Sequence, residues 1–393
     1  MDRPLYVHVG SRKTGTSALQ TGLWNSTQRL AAAGVATPLV GRPPHVRMLL
    51  HPLGWRDPAG FVRDINHPAL ERLGTRLRQA PGERVLLSVE DLAEAEPDQI
   101  TAFMEMAEAA NLDVHVIVTA RDWAQQLPSE WQQELKDRST TDYETFLRRV
   151  RDRDVPDGER FWRRQDVLDI CERWGAGLDP GRVHVIVVPP ASVDRRAVFR
   201  LFAEVVGFDP SLLKAPPGNL NASFGYREAE MLRRLNLVLG DRLSDFEHEY
   251  LPAIRRVLVR RVIARGASAG VPLPTHHVDW VRQTAEERLG KVLDRNYCLH
   301  GSPALLVPVP DVGRPMPKVD ADDIADAALR TLANFAIAQF EATRKDVGRA
   351  TRTTAFTTVL AKRFPRLRSR LPRTLAVRLR NHDVEHDHPQ RGR

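Results

Sequence analysis

Cysteine is nearly absent from this 393-residue chain, which contains only Cys171 and Cys298. Two thiols cannot build a disulfide framework or a four-ligand zinc site, and a reducing compartment fits. Long apolar runs are missing as well. No stretch of about 18 apolar residues exists, which excludes a multi-span membrane protein. Met1-Asp2-Arg3-Pro4 leads straight into a strand-like segment with no secretory apolar region, so a cytosolic location is expected. There is no internal repeat and no low-complexity segment. What is present is ordinary for a globular protein: 42% hydrophobic and 27% charged residues, in a chain long enough for one large or two average domains.

The net charge of +8 points to an acidic partner only until it is divided along the chain. Residues 343–393 hold 14 Lys/Arg against 4 Asp/Glu, a net of +10. The remaining 342 residues hold 44 basic and 46 acidic side chains, a net of −2. The excess therefore belongs to the tail, and whole-chain charge says little about the body.

Leu5–Val9 reads as a short buried strand, followed by Gly10-Ser11-Arg12-Lys13-Thr14-Gly15-Thr16-Ser17. Leu19, Leu23, Leu30 and Ala33 then recur at helical spacing, with Gly34 as a stop signal. Further strands are predicted at Val85–Val89, Val114–Thr119 and Val183–Val188, each followed by a helix: Gln99–Ala110, Gln125–Lys136 and Val198–Val206. Alternation of this kind predicts a three-layer α/β/α domain around a parallel sheet, over residues 1–225. Residues 226–346 read as a helical region, interrupted by the Pro-rich stretch Ser302–Lys318 and expected to complete an acceptor site. Residues 347–393 read as a basic, partly disordered tail. It has three readings: a solvated extension, a segment touching an anionic membrane, or one binding another polyanion. No specific nucleic acid is expected.

Open parallel sheets bind ligands at the carboxyl ends of their strands, and a glycine-containing loop opening a helix offers free N–H groups to an anion. Gly10–Ser17 meets both conditions. It does not have the order of a nucleoside triphosphate loop, in which Lys follows the second glycine; here Lys13 precedes Gly15. No Asp stands at the strand ends to hold magnesium, since Glu90 and Arg121 occupy those positions.

Lys13-Thr14-Gly15-Thr16-Ser17 instead resembles the 5′-phosphosulfate loop of sulfotransferases. Arg121, followed eight residues later by Ser129, is similar to the pair that holds the 3′-phosphate in that family. Glu90, after Ser88-Val89, stands where the family places its catalytic base. The wording around these motifs is similar to that of bacterial sulfotransferase-like proteins. The resemblance covers about residues 5–225 and implies a P-loop NTPase-like sulfotransferase fold. It implies 3′-phosphoadenylyl sulfate as donor, 3′-phosphoadenosine 5′-phosphate as product and no metal. Arg12, Lys13, Thr14, Gly15, Thr16, Ser17, Arg121 and Ser129 would hold the donor, with Lys13 and Glu90 catalytic. Ala18 stands where cytosolic members carry an adenine-stacking Trp, and Asn221–Gly225 lies near the expected late nucleotide loop.

Each residue also has a plainer reading. Lys13 could be a solvated loop lysine, Arg121 a partner of Asp122 or Glu90, and Ser129 a helix cap after Pro128. Glu90 could be an ion-pair partner only, with His51 the reserve base. His8 and Trp123, Trp131, Trp162 and Trp174 read as core residues. The functional expectation is sulfuryl transfer to a hydroxyl or amine of a glycan, lipid or small metabolite. A small-molecule kinase or a non-catalytic nucleotide-binding protein are the alternatives.

Overall fold

The computed structural model describes residues 3–55, 64–154, 157–190, 192–214, 224–263 and 270–363. Six strands form one sheet: β1 (Arg3–Gly10), β2 (Val35–Ala36), β3 (Arg84–Ser88), β4 (Leu112–Ala120), β5 (Val183–Val187) and β6 (Cys298–His300). Their order is β2-β3-β1-β4-β5-β6, and every pairing is parallel. The four longer strands lie where apolar runs predict them. β2 and β6 are too short to show a periodicity of their own. β6, although it comes from the stretch beyond residue 226, closes one edge of the sheet against β5.

Alternation along the strands divides the core between two faces. Leu5, Val7, Val9, Val85, Leu87, Val116, Val118, Val183 and Val185 pack on one face, with Leu73 and Leu77 of the helix His67–Gln79 and Phe103 of the helix Pro97–Ala109. Leu86, Ile117 and Ile186 point to the other, meeting Leu19 and Leu23 of the helix Thr16–Trp24 and Phe199 and Phe202 of the helix Ala197–Val206. A third cluster, built on Trp123, Leu127, Trp131, Tyr143, Phe146, Trp162 and Val281, joins the helices after β4 to those beyond Tyr226. All four tryptophans singled out from sequence are buried. The expected helix after β1 is split in two, Thr16–Trp24 and Thr27–Ala32. The break falls at Ser26, whose buried hydroxyl accepts from the Lys214 N–H at 2.8 Å.

Residues Met1–Ala328 make one compact unit and Leu329–Arg393 a second. The helix Ala321–Arg363 is 43 residues long, and the tail beyond it lies outside the described residues.

His8, in the middle of β1, bridges the neighbouring strands: Nδ1 meets Ser88 Oγ at 2.8 Å and Nε2 meets Thr119 Oγ1 at 3.2 Å. Burial pushes its pKa down to about 3. His184 on β5 is pushed down to about 4, first by burial and then by His115 and His300. Both stay neutral in the fold but protonate near pH 6.5 once exposed, so the unfolded chain binds more protons below that pH. Their contribution therefore makes stability rise with pH from about 4 to 6.5 and level off above it. Urea midpoints measured across this range should follow that course, with a shallower slope for His184→Gln. An equal slope in the variant would contradict the assignment.

Candidate functional site

The loop after β1 is clamped before any ligand is considered. Ser11 donates through both its N–H (2.8 Å) and its hydroxyl (3.0 Å) to the Thr119 carbonyl. Thr14 Oγ1 donates to the Ser11 carbonyl at 2.7 Å and lies 2.6 Å from Thr119 Oγ1. Gly10 permits the close approach that this requires. Its φ is +135°, and a Cβ there would stand 3.0 Å from Ala93 Cβ and 3.3 Å from the Glu90 carbonyl. Gly15, at φ +89°, opens the helix Thr16–Trp24. That helix start has no side-chain cap and no acid in its first turn. Its N–H groups and dipole are thus presented at the sheet's carboxyl end.

Thr16, Glu90, Lys13 and Arg121 meet around this loop. The Thr16 hydroxyl donates to the Glu90 carboxylate. Arg121, just past β4, donates from Nη1 to the Lys13 carbonyl at 3.3 Å and from Nη2 to Gln125. Its Nε is buried without a hydrogen-bond partner among the described residues. Burial lowers the Arg121 pKa, opposed by Asp122. Lys13 Nζ donates to Gln133 Oε1 at 2.7 Å, and burial, the largest influence, also lowers its pKa against the pull of Glu130. Thr14 is buried in the clamp, and Ser17 lies in the first turn of the helix.

The helix Trp123–Lys136 supplies what the sequence did not reveal. Its cap is Asp122, which accepts from the Ala124 N–H at 2.7 Å. Ser129 is therefore not a cap: it lies inside the helix, as Pro128 does. Helical spacing puts Ser129 one turn beyond Gln125 and one turn before Gln133. The former touches Arg121 and the latter Lys13. Gln126 adds a 2.9 Å bond to the Arg12 carbonyl. These glutamines read as surface residues in a linear pattern; the signal that could have found them is their shared face with Ser129.

The Arg12 side chain belongs to a buried ionic network rather than to the open loop. It lies 3.8 Å from Glu94. Burial alone would lower its pKa, but Asp91, Glu130, Glu90 and Glu94 outweigh that effect and raise it. Arg164 ties the acids together, at 2.7 Å from Glu94, 3.2 Å from Glu130 and 3.1 Å from Glu134. Burial would raise the Glu130 pKa, yet Arg164, Arg12 and Lys13 bring it below the usual value.

Two clefts flank these residues. One, of about 240 Å³, is lined by Gln20, Trp24, Arg42, His45, Val46, Leu50, Ser88, Val89, Glu90 and Asp91. His45 donates from Nδ1 to the Gly41 carbonyl at 2.7 Å, so its neutral ring carries the lone pair on Nε2. Arg42 pairs with Asp91 at 3.0 Å. His51, the reserve base by sequence, is not among the lining residues. The other cleft, of about 330 Å³, lies beside Arg121 and is walled by Trp123, Val167, Leu168, Leu289 and Val292, with Asp166 and Arg288. Asn221, Ala222 and Ser223 lie outside the described residues.

Glu144, His276 and His277 have ligand atoms within 4.8 Å of one another, as a metal site would need. Their chemistry argues against it. The Trp280 indole N–H donates to His277 Nδ1 at 2.7 Å, which leaves the proton of a neutral ring on Nε2. That N–H donates to Glu144 at 3.0 Å. A metal-ligating histidine needs its lone pair on the coordinating nitrogen and an acceptor at the other.

No family model matches the chain, and no curated protein matches it in sequence. Among solved structures, a sulfotransferase from Alicyclobacillus acidocaldarius is similar at 16% identity and a TM-score of 0.39, over 56% of this chain and 87% of that one.

Removing Arg164 leaves Glu130, 1% exposed, without its principal counter-charge. Arg164→Met should cost about 3–5 kcal/mol in urea unfolding, and Arg164→Met with Glu130→Met should recover much of it. A loss below about 1 kcal/mol for the single variant would mean that the network is not coupled.

Proposed function

We propose that the chain is a sulfotransferase that moves a sulfuryl group from 3′-phosphoadenylyl sulfate to a hydroxyl or amine. The observation that carries this reading is the convergence of three anion-seeking features at one end of the sheet. They are the uncapped start of the helix Thr16–Trp24, the Lys13 ammonium, and Arg121 with its buried, unpartnered Nε. A buried guanidinium N–H left without an acceptor costs free energy, and an anionic group beside Arg121 would remove that penalty. These features support an anionic ligand. The resemblance of the two motifs, Lys13–Ser17 and Arg121 with Ser129, is what makes that ligand a nucleoside phosphorylated at both its 5′ and 3′ positions.

In this reading Gly15, Thr16 and Ser17, with Lys13, would hold the 5′ side of the donor. Arg121 and Ser129 would hold its 3′-phosphate, and the apolar cleft beside Arg121, with Trp123 and Val167, would receive the base. When bound, the donor supplies the sulfuryl group and a phosphate able to leave with negative charge. Lys13 and the helix dipole neutralise that charge as it grows, which needs no metal. Glu90, on the wall of the 240 Å³ cleft, takes the acceptor proton on its carboxylate. Thr16, through its hydroxyl, holds that carboxylate in place. The same cleft, with Trp24, Arg42 and His45, would receive the acceptor.

Titration calorimetry tests the donor site. 3′-Phosphoadenosine 5′-phosphate should bind about ten- to hundredfold more tightly than AMP, the worth of a charge-assisted contact, and Arg121→Ala should erase most of the difference. Equal affinities would overturn the 3′ site. A strict need for ATP and magnesium in transfer assays would favour the kinase alternative.

Glu90→Gln tests the base. Transfer should fall by about 10²–10⁴ while nucleotide binding is retained. Near-normal transfer by this variant would remove Glu90 from the chemistry.

A further inference from the structure

The second compact unit offers a surface unrelated to the nucleotide loop. The helix Ala321–Arg363 is anchored at its start, where Ile324 and Ala327 are buried. Beyond them the large apolar side chains turn outward. Leu329, Leu332, Ile337 and Phe340 are 66%, 63%, 57% and 68% exposed. At 3.6 residues per turn these four, with Ala333 and Ala336, fall within an arc of about 140°. Arg330 and Glu341 border one edge of the arc and Gln339 the other. Exposed apolar residues usually occur singly, and a stripe of this kind marks a contact surface.

Three occupants compete for it. A second copy would need a seam of large residues repeating every three to four positions over several heptads. Continuing from Phe340 in alternating steps of three and four meets Thr343, Val347, Ala350 and Thr354, or Arg344, Val347, Thr351 and Thr354. Val347 is the last sizeable apolar residue in either register, so no seam of several heptads follows. The net charge of +10 in residues 343–393 also repels a like chain laid alongside. A hydrocarbon-free polyanion would satisfy that charge but leave leucine, isoleucine and phenylalanine uncovered. A bilayer with anionic headgroups satisfies both. No helix among the described residues is long and apolar enough to cross a membrane, so the contact would lie along the surface. We infer that the stripe Leu329–Phe340 docks into the interface of an anionic lipid bilayer, drawn there by the basic sequence that follows it. The apolar face inserts at the level of the headgroups, and the net charge of +10 in the sequence of residues 343–393 favours a surface of the opposite sign.

Flotation of the full chain with vesicles tests this. Vesicles of phosphatidylcholine with a third phosphatidylserine should carry the protein upward, pure phosphatidylcholine should carry far less, and 0.5 M salt should release most of it. Leu332→Asp with Phe340→Asp changes only exposed positions, and unchanged circular dichroism would confirm that the chain still folds. This variant should partition at least about tenfold less onto the anionic vesicles. Equal flotation of variant and parent would overturn the inference, since charge alone would then account for binding. A stable dimer in light scattering that the double substitution dissolves would assign the stripe to a second copy and overturn it equally.

Discussion

Burying positive charge is the constraint around which this end of the molecule is organised. Arg12, Lys13 and Arg121 lie within or beside one loop, next to the positive end of a helix. Such a concentration would repel itself in a low-dielectric interior. Glu94, Glu130 and Glu134 offset it from one side, linked by Arg164. The balance is uneven: Arg12 is surrounded by acids and held charged, whereas Lys13 and Arg121 are pulled toward their neutral forms by burial. Around Lys13 and Arg121 the carboxylates do not outweigh burial, as those around Arg12 do. An anion arriving there would complete an arrangement that the protein alone leaves short of negative charge.

The hydroxyl clamp explains why these groups have a fixed geometry. Ser11, Thr14 and Thr119 form a short chain of bonds tying the loop to β4, and His8 extends it across β1 to Ser88 on β3. Three adjacent strand ends are thereby held in register at the point where Glu90 and Arg121 emerge. Sites built on strands in this way keep their donors oriented without reorganisation at the moment of reaction, which is what electrostatic stabilisation requires.

Much of this was legible from residues alone. The four long strands announce themselves because both faces of a parallel strand are buried and apolar runs result. The loop could be placed because two glycines and a lysine between a strand and a helix serve few purposes. The supporting layer was not legible, for a physical reason. Gln125, Gln126, Glu130 and Gln133 are polar residues on a helix, a pattern that ordinarily marks a solvated face. Here that face is turned inward and its polarity answers buried cations. Arg42 and His45 reach the Glu90 cleft from a helix of only four residues, Arg42–His45, too short to show a period, and Trp24 reaches it from the last position of the helix Thr16–Trp24. β2 and β6 escaped because two or three residues cannot display alternation.

The placement of β6 bears on how the chain is made. β5 is an inner strand of the finished sheet, but its outer partner, Cys298–His300, lies more than a hundred residues further along. During synthesis the N–H and C=O groups on that side of β5 remain unpaired while the intervening helices emerge. An open edge rich in Val and Ile, here Val183-His184-Val185-Ile186-Val187, is the type of surface on which nascent chains associate wrongly. Of the three histidines linked side to side across β4, β5 and β6, His115 belongs to the inner strand and His300 arrives with β6. His184 alone therefore puts a polar side chain on that late-closing strand until its partner comes.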